Sequence, residues 1–154
     1  MSQPRIYSAS FSAIALTAAA DLFEITAATD RPVEIMGWTI FQTTDLGDAA
    51  EEVLDLSIQR GVTAGSGGSS VTPVDYGGRG ESTSDATVNR TVTTAHTSGT
   101  VMFRKGWNIR MPEEFWLPPE LYAYVDAGTD PVTLTMTAPA DSITVSGTIF
   151  WREF

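Results

Sequence analysis

The sequence predicts an all-β fold, an antiparallel β-sandwich and, within that class, a jelly roll. Three observations point there. Apolar residues recur with period two in segment after segment. Helical periodicity is nearly absent. Glycine and proline cluster between the alternating runs, as turns between short strands require.

The clearest strands alternate apolar residues with threonine or serine. Val132, Leu134 and Met136 alternate with Thr133, Thr135 and Thr137. Ile143, Val145, Gly147, Ile149 and Trp151 alternate with Thr144, Ser146, Thr148 and Phe150, and Leu54, Leu56 and Ile58 alternate with Asp55, Ser57 and Gln59. Each reads as a strand with one apolar face and a half-exposed polar face, where threonine suits the pleat. Residues 32–43 are richer. Val33, Ile35 and Phe41 fall on one face and Met36, Trp38 and Ile40 on the other, so the pattern predicts a central strand covered on both sides. Residues 5–16 form a long N-terminal strand. Residues 21–26 follow, with Leu22 and Glu24 opposite Phe23 and Ile25. Residues 100–104 and 121–125 add strands, and residues 88–94 a weaker, polar one. The total is about eight to ten strands in one domain over residues 1–154.

Two segments break the pattern. Residues 44–53 hold Ala49, Ala50 and Glu51, helix formers sufficient for one turn. Residues 61–80 are rich in glycine and serine and predict a long flexible loop.

Composition narrows the function classes. The chain has no cysteine and one histidine, which excludes a disulfide framework, thiolate metal sites and a histidine-rich metal centre. No cofactor is expected. The net charge of −10 repels phosphate backbones and anionic membranes, so neither direct nucleic-acid binding nor membrane attachment is expected. No run approaches the roughly 20 apolar residues that span a bilayer.

Catalytic motifs are weak. The glycine loop lacks the Gly-Lys-Ser/Thr ending of a phosphate-binding loop, and no G-x-S-x-G elbow surrounds Ser66, Ser69 or Ser70. Any Ser-His-Asp arrangement must use His96, which lies in a polar, turn-like stretch and reads as solvated. Asp45, Asp48, Glu51 and Glu52 cluster without calcium-loop spacing. Glu113 and Glu114 show no second carboxylate partner for glycoside hydrolysis. The expectation is a protein that is not an enzyme.

Residues 107–124 are the most aromatic, with Trp107, Phe115, Trp116, Tyr122 and Tyr124. Aromatic residues with Met and Arg fill both cores and interfaces. The interface candidates are Arg5, Ile6 and Tyr7 in the N-terminal arm, with Trp107, Phe115 and Trp116 in this run. Ile6 and Tyr7 would supply apolar anchors if the arm, residues 2–7, added itself to a neighbour as a strand.

The runs RIYSASFSAIALTAAADLFEITAATDRPVEIMGW, GSGGSSVTP and PADSITVSGTIFWREF resemble small virion structural proteins of tailed bacteriophages. That resemblance implies a decoration or cement protein with a β-sandwich or jelly-roll fold. Its partner would be the major capsid protein, and its own assembly a homotrimer. Its place would be the capsid surface, after synthesis in the host cytoplasm. A tail-associated or receptor-binding β module would share fold and composition. A cupin-like enzyme would need more histidines. A shell subunit would need a basic inner side, which a charge of −10 opposes.

Overall fold

The computed structural model describes residues 5–43, 52–61, 63–77, 83–94, 96–128 and 130–154. It is an all-β molecule of two antiparallel six-stranded sheets. In chain order the strands are β1 (Arg5–Leu16), β2 (Ala20–Thr26), β3 (Val33–Gln42), β4 (Val53–Arg60), β5 (Ser69–Ser70), β6 (Val74–Asp75), β7 (Thr87–Val92), β8 (Thr100–Asn108), β9 (Glu113–Trp116), β10 (Ala123–Val125), β11 (Val132–Met136) and β12 (Ile143–Glu153). A single 3-10 turn, Pro119–Leu121, precedes β10.

The first sheet runs β10-β3-β12-β1-β6, with β9 paired to the other half of β3. The second runs β5-β7-β2-β11-β4-β8. The first and last strands lie side by side, Arg5 opposite Glu153 and Leu16 opposite Ile143. The core between the sheets takes the alternate residues that period two selects: Ile143, Val145, Ile149 and Trp151 from β12, Leu54, Leu56 and Ile58 from β4, and Val132, Leu134 and Met136 from β11. Burying each such side chain stabilises by about 1.5–3 kcal/mol.

Register shifts interrupt four of the described ladders, and those in β3 and β2 decide which of their residues share a face. Gly37 opposes Phe150 while Ile35 opposes Trp151, so Met36 is the extra residue. Ile35 therefore joins Trp38 and Ile40 in the core, and Phe41 turns outward. Strict alternation had divided these residues differently. In β2, Phe23 opposes Leu134 while Asp21 opposes Thr135, so Leu22 is the extra residue. Asp21 consequently joins Glu24 on the outer face.

The glycine-rich loop of residues 61–80 carries two short strands among its described residues. These strands, β5 and β6, extend one side of each sheet, and Val71 N–H donates to Val88 O at 2.9 Å. On the opposite side, Phe103 of β8 stacks on Phe115 of β9 with ring centroids 5.0 Å apart. Lys105 Nζ lies 2.6 Å from a Glu113 oxygen, a second tie between the sheets. The helical turn predicted over residues 44–53 falls on residues 44–51, outside the described residues; Val53 begins β4.

Candidate functional site

The two outer faces of the sandwich differ. The outer face of the first sheet carries rings that nothing covers among the described residues. Phe150 of β12 is the middle ring, with Trp116 of β9 at 4.9 Å and Tyr76, just beyond β6, edge-on at 5.4 Å. Trp116 is 46% exposed and Tyr76 65%.

Local sequence explains how the rings meet. Gly37 stands beside Phe150 in the ladder and presents no side chain to the outer face. A Cβ there would lie 2.4 Å from Phe115 O and 2.8 Å from the Trp116 ring, so only glycine lets Trp116 lie against the sheet. The indole N–H of Trp116 donates to Glu114 Oε1 at 2.8 Å, which fixes the ring. On the flank, Arg152 Nε–H donates to Glu34 Oε2 at 2.6 Å, and its guanidinium lies about 5 Å over both Tyr122 and Phe154 (4.9 and 5.1 Å). Beyond Phe150 the face carries hydroxyls, with Ser10 and Thr148 hydrogen-bonded at 2.8 Å.

The outer face of the second sheet is roofed. Outward-facing Asp21, Glu24, Thr133, Thr135, Ser57 and Gln59 form a polar layer, and all but Gln59 and Thr135 are fully buried. Residues after β4 and after β7 bridge one another across it, Thr63 with Thr97 and Ser66 with Thr94. Glu24 accepts from Gly65 N–H at 2.7 Å and from Asn89 Nδ2–H at 3.3 Å. Asp21 accepts from the backbone N–H of His96 at 2.9 Å and from the Thr135 hydroxyl at 2.7 Å. Thr133 on this face is thus wholly buried, and the half-buried Thr135 is a ligand of the Asp21 carboxylate.

His96 is not solvated, as its polar neighbours in sequence suggest. Its side chain is 4% exposed. Its Nδ1 lies 3.1 Å from Asp21 Oδ1 and its Nε2 lies 3.1 Å from Gln59 Oε1. Gln59 Nε2–H donates in turn to Ser57 Oγ at 2.8 Å. An Asp–His pair therefore exists, but the ring nitrogen that would activate a nucleophile faces an amide oxygen under a closed roof. Gly99 seals it, since a Cβ there would sit 2.2 Å from His96 Nε2. The arrangement ties the roof to the sheet, with Asp21, Gln59 and Gly99 packed around the His96 ring.

The six interface candidates separate. Trp107 is buried in the core at 1% exposure, its indole N–H donating to Met111 O at 2.8 Å, so it cannot be a surface anchor. Tyr7 is wholly buried and stacks on Trp151 at 6.0 Å. Residues 5–7 are not a free arm: all three pair with β12, and residues 2–4 lie outside the described residues. Arg5 is exposed opposite Glu153, and Ile6 is exposed on the outer face beside Arg152. Phe115 is half-buried between Trp38 and Phe103, each at 5.0 Å. Trp116 belongs to the exposed ring cluster. Sequence reasoning missed Tyr76 and Phe150 as its companions; the alternation that turns Trp151 inward also turns Phe150 outward.

Glu113 and Glu114 alternate faces and do not form a carboxylate pair, one meeting Lys105 and the other Trp116. Of the acidic cluster near residue 48, only Glu52 is described, and it accepts from Ala140 N–H at 2.9 Å. Among the described residues, no group of three or more metal-ligating side chains converges. No helix there is long and apolar enough to cross a membrane.

Comparison of the chain with protein-family models, curated proteins and solved structures returned no match.

Proposed function

We propose that this chain is a non-enzymatic virion structural protein that decorates or cements a bacteriophage capsid, bridging major capsid subunits through the outer face of its first sheet. The observation that carries this reading is the difference between the two outer faces. One is closed by the chain's own loops. The other leaves Tyr76 and Trp116 exposed, each in contact with the half-buried Phe150. Clustered aromatic residues beside an arginine are the usual centre of a protein interface.

Strand order supports a jelly roll. With β5, β6 and β7 set aside, one sheet reads β1-β12-β3 followed by β9 and β10, and the other β2-β11-β4-β8. Successive strands alternate between sheets except from β4 to β8 and from β9 to β10, which share β3 as partner and together occupy one strand position, as in two interleaved Greek keys, and this architecture recurs in viral particles. The resemblance to tailed-phage virion proteins points the same way and implies a homotrimer.

The test is co-sedimentation of purified protein with bare capsids of the source particle. The intact chain should bind, and Trp116→Ala should weaken binding about tenfold or more, as truncation of an interface anchor does. Light scattering should report a trimer. Equal binding by Trp116→Ala overturns the assigned face. No binding to capsids, with the protein found in tails instead, overturns decoration in favour of the tail-associated or receptor-binding module.

A further inference from the structure

Glu153 is the last residue of β12 and turns inward with Trp151. Its side chain is buried, as are those of Asp21 and Glu24 under the roof of the second sheet. One oxygen, Oε1, accepts from the backbone N–H of Asp85 at 3.1 Å. The other, Oε2, is buried and has no hydrogen-bond partner among the described residues. An ionised carboxylate accepts from several donors in water, so this site satisfies it poorly.

The group that covers Glu153 is the short segment 83–86, which leads into β7. Ala86 is buried there, its N–H donating to Ser84 Oγ at 3.1 Å. The segment carries its own charge, Asp85, paired with Arg31 Nη1 at 3.0 Å. From β3 the register partner is the apolar Val33, and from β1 it is the exposed Arg5. The buried carboxyl therefore faces one acid, Asp85, and one partly exposed base, Arg31, from the elements packed on it, with Arg5 across the ladder.

We propose that Glu153 is a proton-operated latch: with a neutral carboxyl, segment 83–86 closes over the end of β12, and with an ionised one, the segment lifts so that water reaches the charge. Desolvation by burial holds this carboxyl above the ordinary glutamate range, and repulsion from Asp85 adds to it, while the Asp85 N–H, Ser84 and Arg31 oppose. The sign follows. A carboxyl favoured neutral in the closed form keeps its contribution at acid pH and loses it as pH rises through and above the ordinary range.

Hydrogen exchange read at the Asp85 and Ala86 amides tests the latch on the full chain. Between about pH 4.5 and about pH 7.5, the opening equilibrium, corrected for intrinsic exchange, should rise several-fold in the wild-type protein. Glu153→Gln keeps an acceptor for Asp85 N–H without the charge, so its opening should stay low and independent of pH. An equal pH response in both proteins, or none in either, overturns the proposal. Carbon NMR of the Glu153 carboxyl in the wild type gives a readout free of any folding defect in the variant. Its titration must coincide with the opening of the segment; a midpoint at or below the ordinary glutamate value overturns the latch.

Discussion

Two tryptophans nine positions apart do opposite work. Trp107 lies inside the sandwich with its indole N–H satisfied by Met111 O, while Trp116 lies on the outer face with its indole N–H on Glu114. Residue type and neighbours in sequence do not distinguish them; sheet position does. Removing a buried tryptophan leaves a cavity and costs about 3–5 kcal/mol, whereas an exposed ring in contact with one other costs about 1 kcal/mol or less. Urea unfolding should therefore show Trp107→Ala strongly destabilised and Trp116→Ala close to the wild type. That contrast also makes Trp116→Ala a clean probe of docking, because lost binding would not reflect lost fold.

At the scale of elements, alternation makes most strands and most inward residues legible, because a sheet buried on one face must repeat with period two. It fails where the backbone departs from that period. The bulges at Met36 and Leu22 each shift one register step, and neither has a glycine or proline at the extra residue to announce it. The roof was illegible for a different reason: it depends on contacts between residues far apart in sequence, as between Asp21 and His96, separated by 75 positions. Polar residues around His96 look like a solvated turn until the sheet is seen beneath them. Asp21 accepts from the backbone N–H of His96 and lies 3.1 Å from its ring Nδ1, so His96 is a main tie between roof and sheet. Replacing His96 with alanine removes the ring that lies between Asp21 and Gln59 and leaves a buried polar group short of a partner, at a cost of about 1–3 kcal/mol. The expected outcome for His96→Ala is a lower urea midpoint together with faster hydrogen exchange at Gly65 and Ser66, while amides of β12 exchange as before in native conditions. Unchanged exchange at Gly65 would show that Glu24 alone holds the roof.

The whole molecule is closed by its two ends. β1 and β12 form the longest ladder, from Arg5 with Glu153 to Leu16 with Ile143, in the middle of the first sheet. β12 also supplies β3 with its neighbour, so both β1 and β3 depend on the eleven residues before Phe154. The ladder joins residues up to 148 positions apart, Arg5 and Glu153, and closing so long a chain costs entropy before its contacts form. Local structure cannot compensate, since the described residues contain no helix beyond a three-residue turn. Folding should accordingly be slow for the chain's size, on the order of milliseconds to seconds, as for other sandwiches built from distant pairings. It should also be cooperative with the C-terminal strand. A chain ending before Ile143 would leave the edges of β1 and β3 unpaired and the inner faces of Tyr7 and Ile35 without Trp151 between them. Far-ultraviolet circular dichroism and analytical ultracentrifugation of such a truncation should show lost β signal or aggregation through the bared edges. Adding residues 143–154 back as a separate peptide should restore part of the β signal, because the missing strand can still pair on both sides. If the truncated chain instead folds as a monomer, the second sheet with its roof is an independent folding unit, and the aromatic face is an addition to it.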